Sequence, residues 1–162
     1  MIFIEGESKN AEGAIVIRSK LGPATIRAGW EKKVLLPGVE VGLAGWERAH
    51  SQGPGTGRES SHGIVYAPIA VNQALQRLGI ERRLRELVPK IPPGLELWLT
   101  TETYTYRGTD RLKEIIYRLD ARRTNARLPT DYRKLFEVSI EVDNATINPR
   151  VQVGALPLAF TL

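Results

Sequence analysis

The chain contains no cysteine, which removes disulfide frameworks, zinc–thiolate sites and thiol nucleophiles from consideration. That absence suits a reducing compartment, and equally a protein that must work in any redox setting. No run of 18 or more apolar residues occurs, so no helix is expected to span a membrane. The opening Met1-Ile2-Phe3-Ile4-Glu5-Gly6 lacks the basic start and apolar core of a secretory signal. The expectation is therefore a soluble protein without a signal peptide. Histidine is scarce, with His50 and His62 the only two. No internal repeat and no low-complexity tract is evident.

What is present describes an ordinary globular chain. The 162 residues, 42% hydrophobic and 25% charged, suit one domain with a real core. The net charge of +5 is localised. Residues 107–134 hold nine Lys or Arg and four acids, and so account for all of it. A basic stripe of this kind is the electrostatic footprint of a polyanion partner; a solvated, solubilising face is the plainer alternative.

The apolar pattern predicts an α+β fold. Residues 1–40 form a β-rich lead-in to a candidate catalytic region, 41–162. Ala14–Ile17 and Ala24–Arg27 flank Leu21-Gly22-Pro23 and read as a hairpin, and Val34–Leu36 ends at Pro37-Gly38. Val39–Trp46 is strand-like and leads to His50. Ser51–Ser61, rich in glycine, is a loop, and Ile64–Tyr66 is a short strand stopped by Pro68. Val71, Leu75, Leu78, Leu84, Leu87 and Val88 largely keep helical spacing, predicting one main helix over about 69–88, which Gly79 divides. An antiparallel sheet follows: Leu95–Tyr106 and Leu112–Leu119 around a turn at Arg107–Asp110, a loop at Thr124–Asp131, then Glu137–Val142. Ile147–Leu162 supplies last strands broken by Pro149, Gly154 and Pro157.

Chemistry concentrates between Trp46 and Gln73. A strand closes at His50, a glycine-rich loop and a short strand follow, and a helix opens with Val71-Asn72-Gln73. This β-β-α order suits phosphodiester hydrolysis. Imidazole, titrating near pH 6.5, can take a proton from an attacking water. An oxygen ligand on the helix can help hold a magnesium-like ion, whose shell substrate phosphate and water complete.

The order Arg48-Ala49-His50, Gly-rich loop, Val71-Asn72-Gln73 resembles the His-Me finger (ββα-metal) nucleases. That resemblance implies His50 as general base and Asn72 as metal ligand, with Gln73 or Glu81 as an accessory. Arg48, beside the base, joins the catalytic candidates. A wider run is similar to the C-terminal toxin domains of bacterial polymorphic (Rhs-type) toxins: Gly45–Ser60, Tyr66-Ala67-Pro68, Val71–Gln73, Leu99–Thr101 and Gly108–Ile115. It implies a domain delivered into a competitor's cytoplasm and neutralised by a cognate immunity protein.

Plainer readings stand beside these. His50 and His62 together could run metal-independent RNA cleavage, one as base and one as acid. Gly53–Gly57 could cradle phosphate through backbone amides, or be a surface loop; it lacks the lysine of a P-loop. Asn72 and Gln73 could simply start the helix. Thr101, Thr103 and Thr105 read as a strand face. Tyr104 could stack on an unpaired base, and Arg122, Arg123 and Arg127 are the candidate phosphate clamp. A non-catalytic module gripping nucleic acid or an acidic protein through its basic hairpin is the competing class. The Arg-aromatic-Glu-Glu pattern of an ADP-ribosyltransferase is not evident.

Overall fold

Residues 4–9 (backbone only), 13–26, 44–53, 56, 60, 63–125 and 132–153 are described by the structure, a computed structural model. The fold is α+β. Six antiparallel strands form the main sheet in the order β1-β2-β5-β6-β7-β8, and β3 and β4 form a separate hairpin. The strands are β1 Ile4–Lys9, β2 Ile15–Lys20, β3 Trp46–Ala49, β4 Val65–Pro68, β5 Leu95–Thr105, β6 Leu112–Arg123, β7 Tyr132–Val142 and β8 Pro149–Val153. One helical run, α1, lies between β4 and β5. It winds as a π-helix over Ala70–Glu81, an α-helix over Arg82–Leu87 and a 3-10 turn over Val88–Lys90.

The β5–β6 hairpin follows the alternation expected of it. Leu97, Leu99, Thr101 and Thr103 share one face of β5 with their cross-strand partners Ala121, Leu119, Tyr117 and Ile115 on β6, because successive side chains in a strand point to opposite faces. That inner face packs against the β3–β4 hairpin and α1. The core joins Leu97, Leu99, Ile115, Leu119 and Ile140 of the sheet to Ala49, Val65, Ala67, Val71 and Leu84. The outer face carries Trp98, Glu102, Tyr104, Arg118, Asp120 and Arg122.

Three expectations need correcting. The N-terminal hairpin is not Ala14–Ile17 against Ala24–Arg27; β2 pairs with β1 on one side and with β5 on the other. At Leu21 the chain leaves the sheet instead of turning back: Leu21 N–H donates to Leu97 O (2.8 Å) and Gly22 N–H to Thr56 O (3.2 Å). Among the described residues, the strand leading to His50 is Trp46–Ala49, after a turn at Ala44-Gly45. Pro149 starts β8 rather than breaking it, opposite Val142, and proline is tolerated at a strand's first residue. The segments 34–38, 39–43, 126–131 and 154–162 lie outside the described residues.

Helix α1 occupies the predicted span, but it does not divide at Gly79; the winding changes at Glu81/Arg82. A π-helix closes i→i+5 and turns about 82° per residue, against about 100° in an α-helix. An α-helical period counts Leu78 into the apolar stripe, yet it is 62% exposed, whereas Val71 and Leu84 are fully buried. The two leucines therefore separate the windings. Leu84→Ala should cost about 2–5 kcal/mol in denaturant unfolding, as a buried leucine does, and Leu78→Ala should stay within about 0.5 kcal/mol of the parent. A large loss at Leu78 would restore the α-helical phase.

Candidate functional site

Three contacts seat α1 along the segment that leaves β3, and they run in register. At the first, Glu47 Oε1 accepts from Asn72 Nδ2 (2.7 Å) and from Gln73 Nε2 (2.8 Å), and Asn72 Nδ2 also reaches Arg48 O (3.4 Å). Asn72 is thus neither the helix cap, which is Ile69, nor turned to solvent. At the second, Gln76 Nε2 donates to His50 O (3.3 Å) and to the Tyr117 hydroxyl (2.5 Å). At the third, Glu81 lies against the loop so closely that a Cβ on Gly53 would stand 2.7 Å from its Oε1.

The π winding makes this comb. In an α-helix the nine residues from Asn72 to Glu81 would carry the two side chains about 180° apart. With i→i+5 closure they come within about 20° of each other. Segments of π-helix are rare and frequently lie at functional sites.

The loop itself is bolted to the sheet. Gln52 is fully buried: its Nε2 donates to Ile17 O (3.0 Å), Leu99 O (3.2 Å) and Thr101 Oγ1 (3.4 Å), and its Oε1 accepts from Ser19 Oγ. Ser51 Oγ donates to Gly63 O (2.7 Å) and shares a 2.5 Å bond with Thr103 Oγ1. Gly63 holds φ +69°, and a Cβ there would fall 2.2 Å from Ser51 Oγ, so only glycine fits. The threonine row of β5 is therefore the anchorage of the His50 loop. Of the loop's amides, Thr56 N–H bonds Gly53 O (3.1 Å) and Ser60 N–H bonds Gln52 O (3.1 Å).

His50 is half-buried at the end of β3, with its carbonyl held by Gln76 and the next two residues locked into the sheet. Arg48 points off the other face of the hairpin, its guanidinium 6.0 Å from the Tyr66 ring, while Arg111 lies 6.0 Å from that of Trp46. Tyr66 N–H donates to Asp110 O (2.8 Å), tying the hairpin to the β5–β6 turn. Burial raises the Asp110 carboxyl above the usual carboxylate range.

The remaining candidates sit elsewhere. Tyr104 and Arg122 are on the outer face, across the sheet from α1. Tyr104 donates to Glu102 (3.0 Å), and Arg122 donates to the Tyr132 hydroxyl (3.2 Å) and stacks 5.2 Å from that ring. Arg18 stacks 4.1 Å from Tyr132, beside the buried Asp120, whose carboxyl desolvation raises against the pull of Arg18, Arg118 and Lys134. Arg123 is exposed at the strand end. His62 and Arg127 lie outside the described residues. The structure thus gathers His50 and Asn72 on one side of the sheet and places Tyr104 and Arg122 on the other.

Reasoning from sequence undervalued Glu47, Gln52, Gln76 and Tyr117. A carboxylate one residue before Arg48 and glutamines at 52 and 76 carry no motif. Their signal is a buried polar side chain, visible only once the chain is folded. Among the described residues no three His, Cys, Asp or Glu side chains converge as a metal site. Asn72 gives its amide nitrogen to Glu47 Oε1 and to Arg48 O.

The sequence model of a bacterial toxin family matches residues 43–123, half of the chain, covering the β3–β4 hairpin, α1, β5 and β6. The chain belongs to that family, Bacterial toxin 4. No curated protein and no solved structure matches it. No helix among the described residues is long and apolar enough to cross a membrane.

Tyr117, fully buried beneath Gln76, has its phenol pushed above its ordinary value of 10.0, first by desolvation, with Glu81 adding to the rise and the Gln76 hydrogen bond opposing it. The unfolded chain then loses this proton first as pH rises, so stability present below pH 10 declines above it, by about 1.4 kcal/mol per pH unit. Urea unfolding at pH 9–11 should show that decline in the parent, and Tyr117→Phe should show a shallower one. Equal slopes would remove Tyr117 as its source.

Proposed function

We propose that this toxin domain is a nuclease that cleaves nucleic-acid phosphodiesters with His50 as general base. The observation that carries the reading is the immobilised main chain at His50: Gln76 holds its carbonyl from α1, and Ser51 and Gln52 fasten the next two residues to β2 and β5. General-base catalysis needs an imidazole fixed at the reacting atoms and a pKa near the working pH. The order β3, β4, α1, with a histidine closing the first strand, supports the likeness to ββα-metal nucleases. The localised positive charge of residues 107–134 supports a polyanionic substrate.

In this reading His50 takes the proton from the attacking oxygen, and Arg48, on the adjoining hairpin face, meets phosphate charge. Glu47 and Asn72 Oδ1 are the oxygen donors that would hold a divalent ion such as magnesium, which suits an ion completed mostly by water and phosphate. Bound there, the ion would stabilise charge on the phosphoryl group. An immunity protein is the partner such a toxin requires.

A metal-independent variant, in which His50 and His62 share the acid and base roles, has support in the two amide donors occupying Glu47 Oε1. That contact makes the Glu47–Asn72 pair a structural lock. Incubation with plasmid DNA and with total RNA, each with magnesium or with EDTA, separates the two. Cleavage is expected with the parent and should fall by about 10²–10⁴-fold in His50→Ala. Loss in EDTA favours the ion at Glu47 and Asn72, and EDTA-resistant RNA cleavage favours the two histidines. No cleavage of either substrate overturns the nuclease reading and leaves the basic hairpin as a binding surface.

A further inference from the structure

The face of the β3–β4 hairpin turned away from α1 carries a second arrangement. Glu47 is bonded to α1, and Ala49, Val65 and Ala67 lie in the core. Strand alternation therefore sends Arg48 and Tyr66, directly opposite each other, to the other side. Arg48 flanks Tyr66 on β3. Arg111 flanks it on the far side through a parallel bridge, beside which Tyr66 N–H donates to Asp110 O (2.8 Å). Adjacent strands lie about 4.8 Å apart, so the main chains of the two arginines stand about 10 Å apart with the tyrosine between them. The Arg48 guanidinium is 6.0 Å from the Tyr66 ring centre, and that of Arg111 is 6.0 Å from the Trp46 ring. Trp46 packs against the core, and Asn144 Oδ1 accepts from Arg111 Nη1 (3.3 Å), so Arg111 is placed from two sides.

Tyr66 differs from the other four tyrosines. The hydroxyls of Tyr104, Tyr106, Tyr117 and Tyr132 bond Glu102, Val142 O, Gln76 and Arg122. The Tyr66 hydroxyl has no hydrogen-bond partner among the described residues, and its side chain is half-buried. A ring fixed at one end and open to water at the other is the placement aromatic residues adopt at interfaces.

Resting on the nuclease reading, we propose that this hairpin face receives unpaired nucleic acid, with one base stacked on Tyr66 and the flanking phosphates on Arg48 and Arg111. The substrate then reaches His50 as a single strand. A side-chain ring can stack on a base that is splayed out, whereas a duplex keeps its base faces in its own stack. A duplex meets the same arginines through phosphate alone. Such stacking reads no sequence, since every base has a π face. Arg48 is two residues before His50, which puts this surface next to the candidate base. Tyr66 thus takes the stacking role expected of Tyr104, which lies across the sheet.

The test measures binding by the full chain carrying His50→Ala, so that no probe is cut. The probes are an unstructured RNA of about 12 nucleotides, DNA of the same sequence, and the duplex of each. Single strands should bind more tightly than duplexes. Tyr66→Ala should weaken single-strand binding about 5–150-fold, as loss of one stacked base does, with duplex binding unchanged and Tyr66→Phe close to the parent. Tyr66→Leu keeps apolar bulk without a π face and should match Tyr66→Ala, and circular dichroism confirms that each variant is folded. Arg48→Gln and Arg111→Gln should each lower the single-strand salt slope by about 0.7. A loss with RNA alone assigns the surface to RNA, and equal losses assign it to either sugar. Unchanged single-strand affinity in folded Tyr66→Leu overturns the proposal, as does an equal loss for duplex. Duplex cleavage by the parent that Tyr66→Leu leaves unchanged removes this surface and keeps His50 as base. Tyr66-dependent binding by a parent that cleaves nothing keeps the surface and removes the nuclease reading alone.

Discussion

A single glutamine amide, buried between β2 and β5, fixes the geometry on which the rest of the molecule depends. Gln52 meets both strands through their carbonyls and through Ser19 and Thr101. A buried amide left without partners costs about 1–3 kcal/mol. The loop after His50 therefore has one seat in which that cost is avoided, and sliding it by a residue would forfeit the bonds of Gln52 and Ser51 together. The polar residues on the inner face of β5, Thr101 and Thr103, are what make the seat. An apolar face there would bury the loop's polar groups unsatisfied.

The second constraint is helical. The β3–β4 hairpin and α1 could pack through Val71, Ala67 and Ala49 alone, but apolar contact is non-directional and fixes no rotation about the helix axis. Rotation is set by the polar comb of Asn72, Gln76 and Glu81, which requires the wide winding over Ala70–Glu81. The winding relaxes to an α-helix at Arg82, immediately after the last polar contact. Leu84 then closes the core from the α-helical part. The exposed Leu78 is the cost of that phase, an apolar side chain given to water so that three polar ones can face the loop.

The second half of the fold was legible in the sequence because its signals are local. Strict alternation from Leu95 to Tyr106, a turn at Gly108 and a return strand specify a hairpin by themselves, and β5–β6 is that hairpin. The helix span was legible from Pro68 to Pro89 for the same reason, while its winding was not, since i→i+5 closure leaves no distinct mark in a short apolar pattern. The N-terminal pairing failed because Leu21-Gly22-Pro23 looks like a tight turn, whereas Leu97 and Thr56, distant in sequence, take its backbone donors. In the candidate site, His50 and Asn72 stood out by residue type and order. Glu47, Gln52 and Gln76 did not, because a buried glutamine and a clamped carboxylate are defined by partners that only the fold supplies.

The sheet also constrains how a nucleic acid would engage the protein. The His50 loop and the α1 comb lie on its inner side, while Tyr104, Arg122 and the Arg18–Tyr132 stack lie on its outer side. On the outer face much of the positive charge is already answered: Arg118 pairs with Glu137 at 2.9 Å and Arg122 is turned onto Tyr132. In the proposed nuclease reading, a strand of substrate reaching His50 would meet Arg48 and Arg111 on the hairpin side, both beside aromatic rings, Tyr66 and Trp46. Guanidinium and aromatic ring together offer charge for a phosphate and a face for a base. In that reading the hairpin beside the candidate base would also offer the substrate a charged and aromatic surface, and the outer-face arginines would contribute long-range attraction rather than contact at the scissile bond.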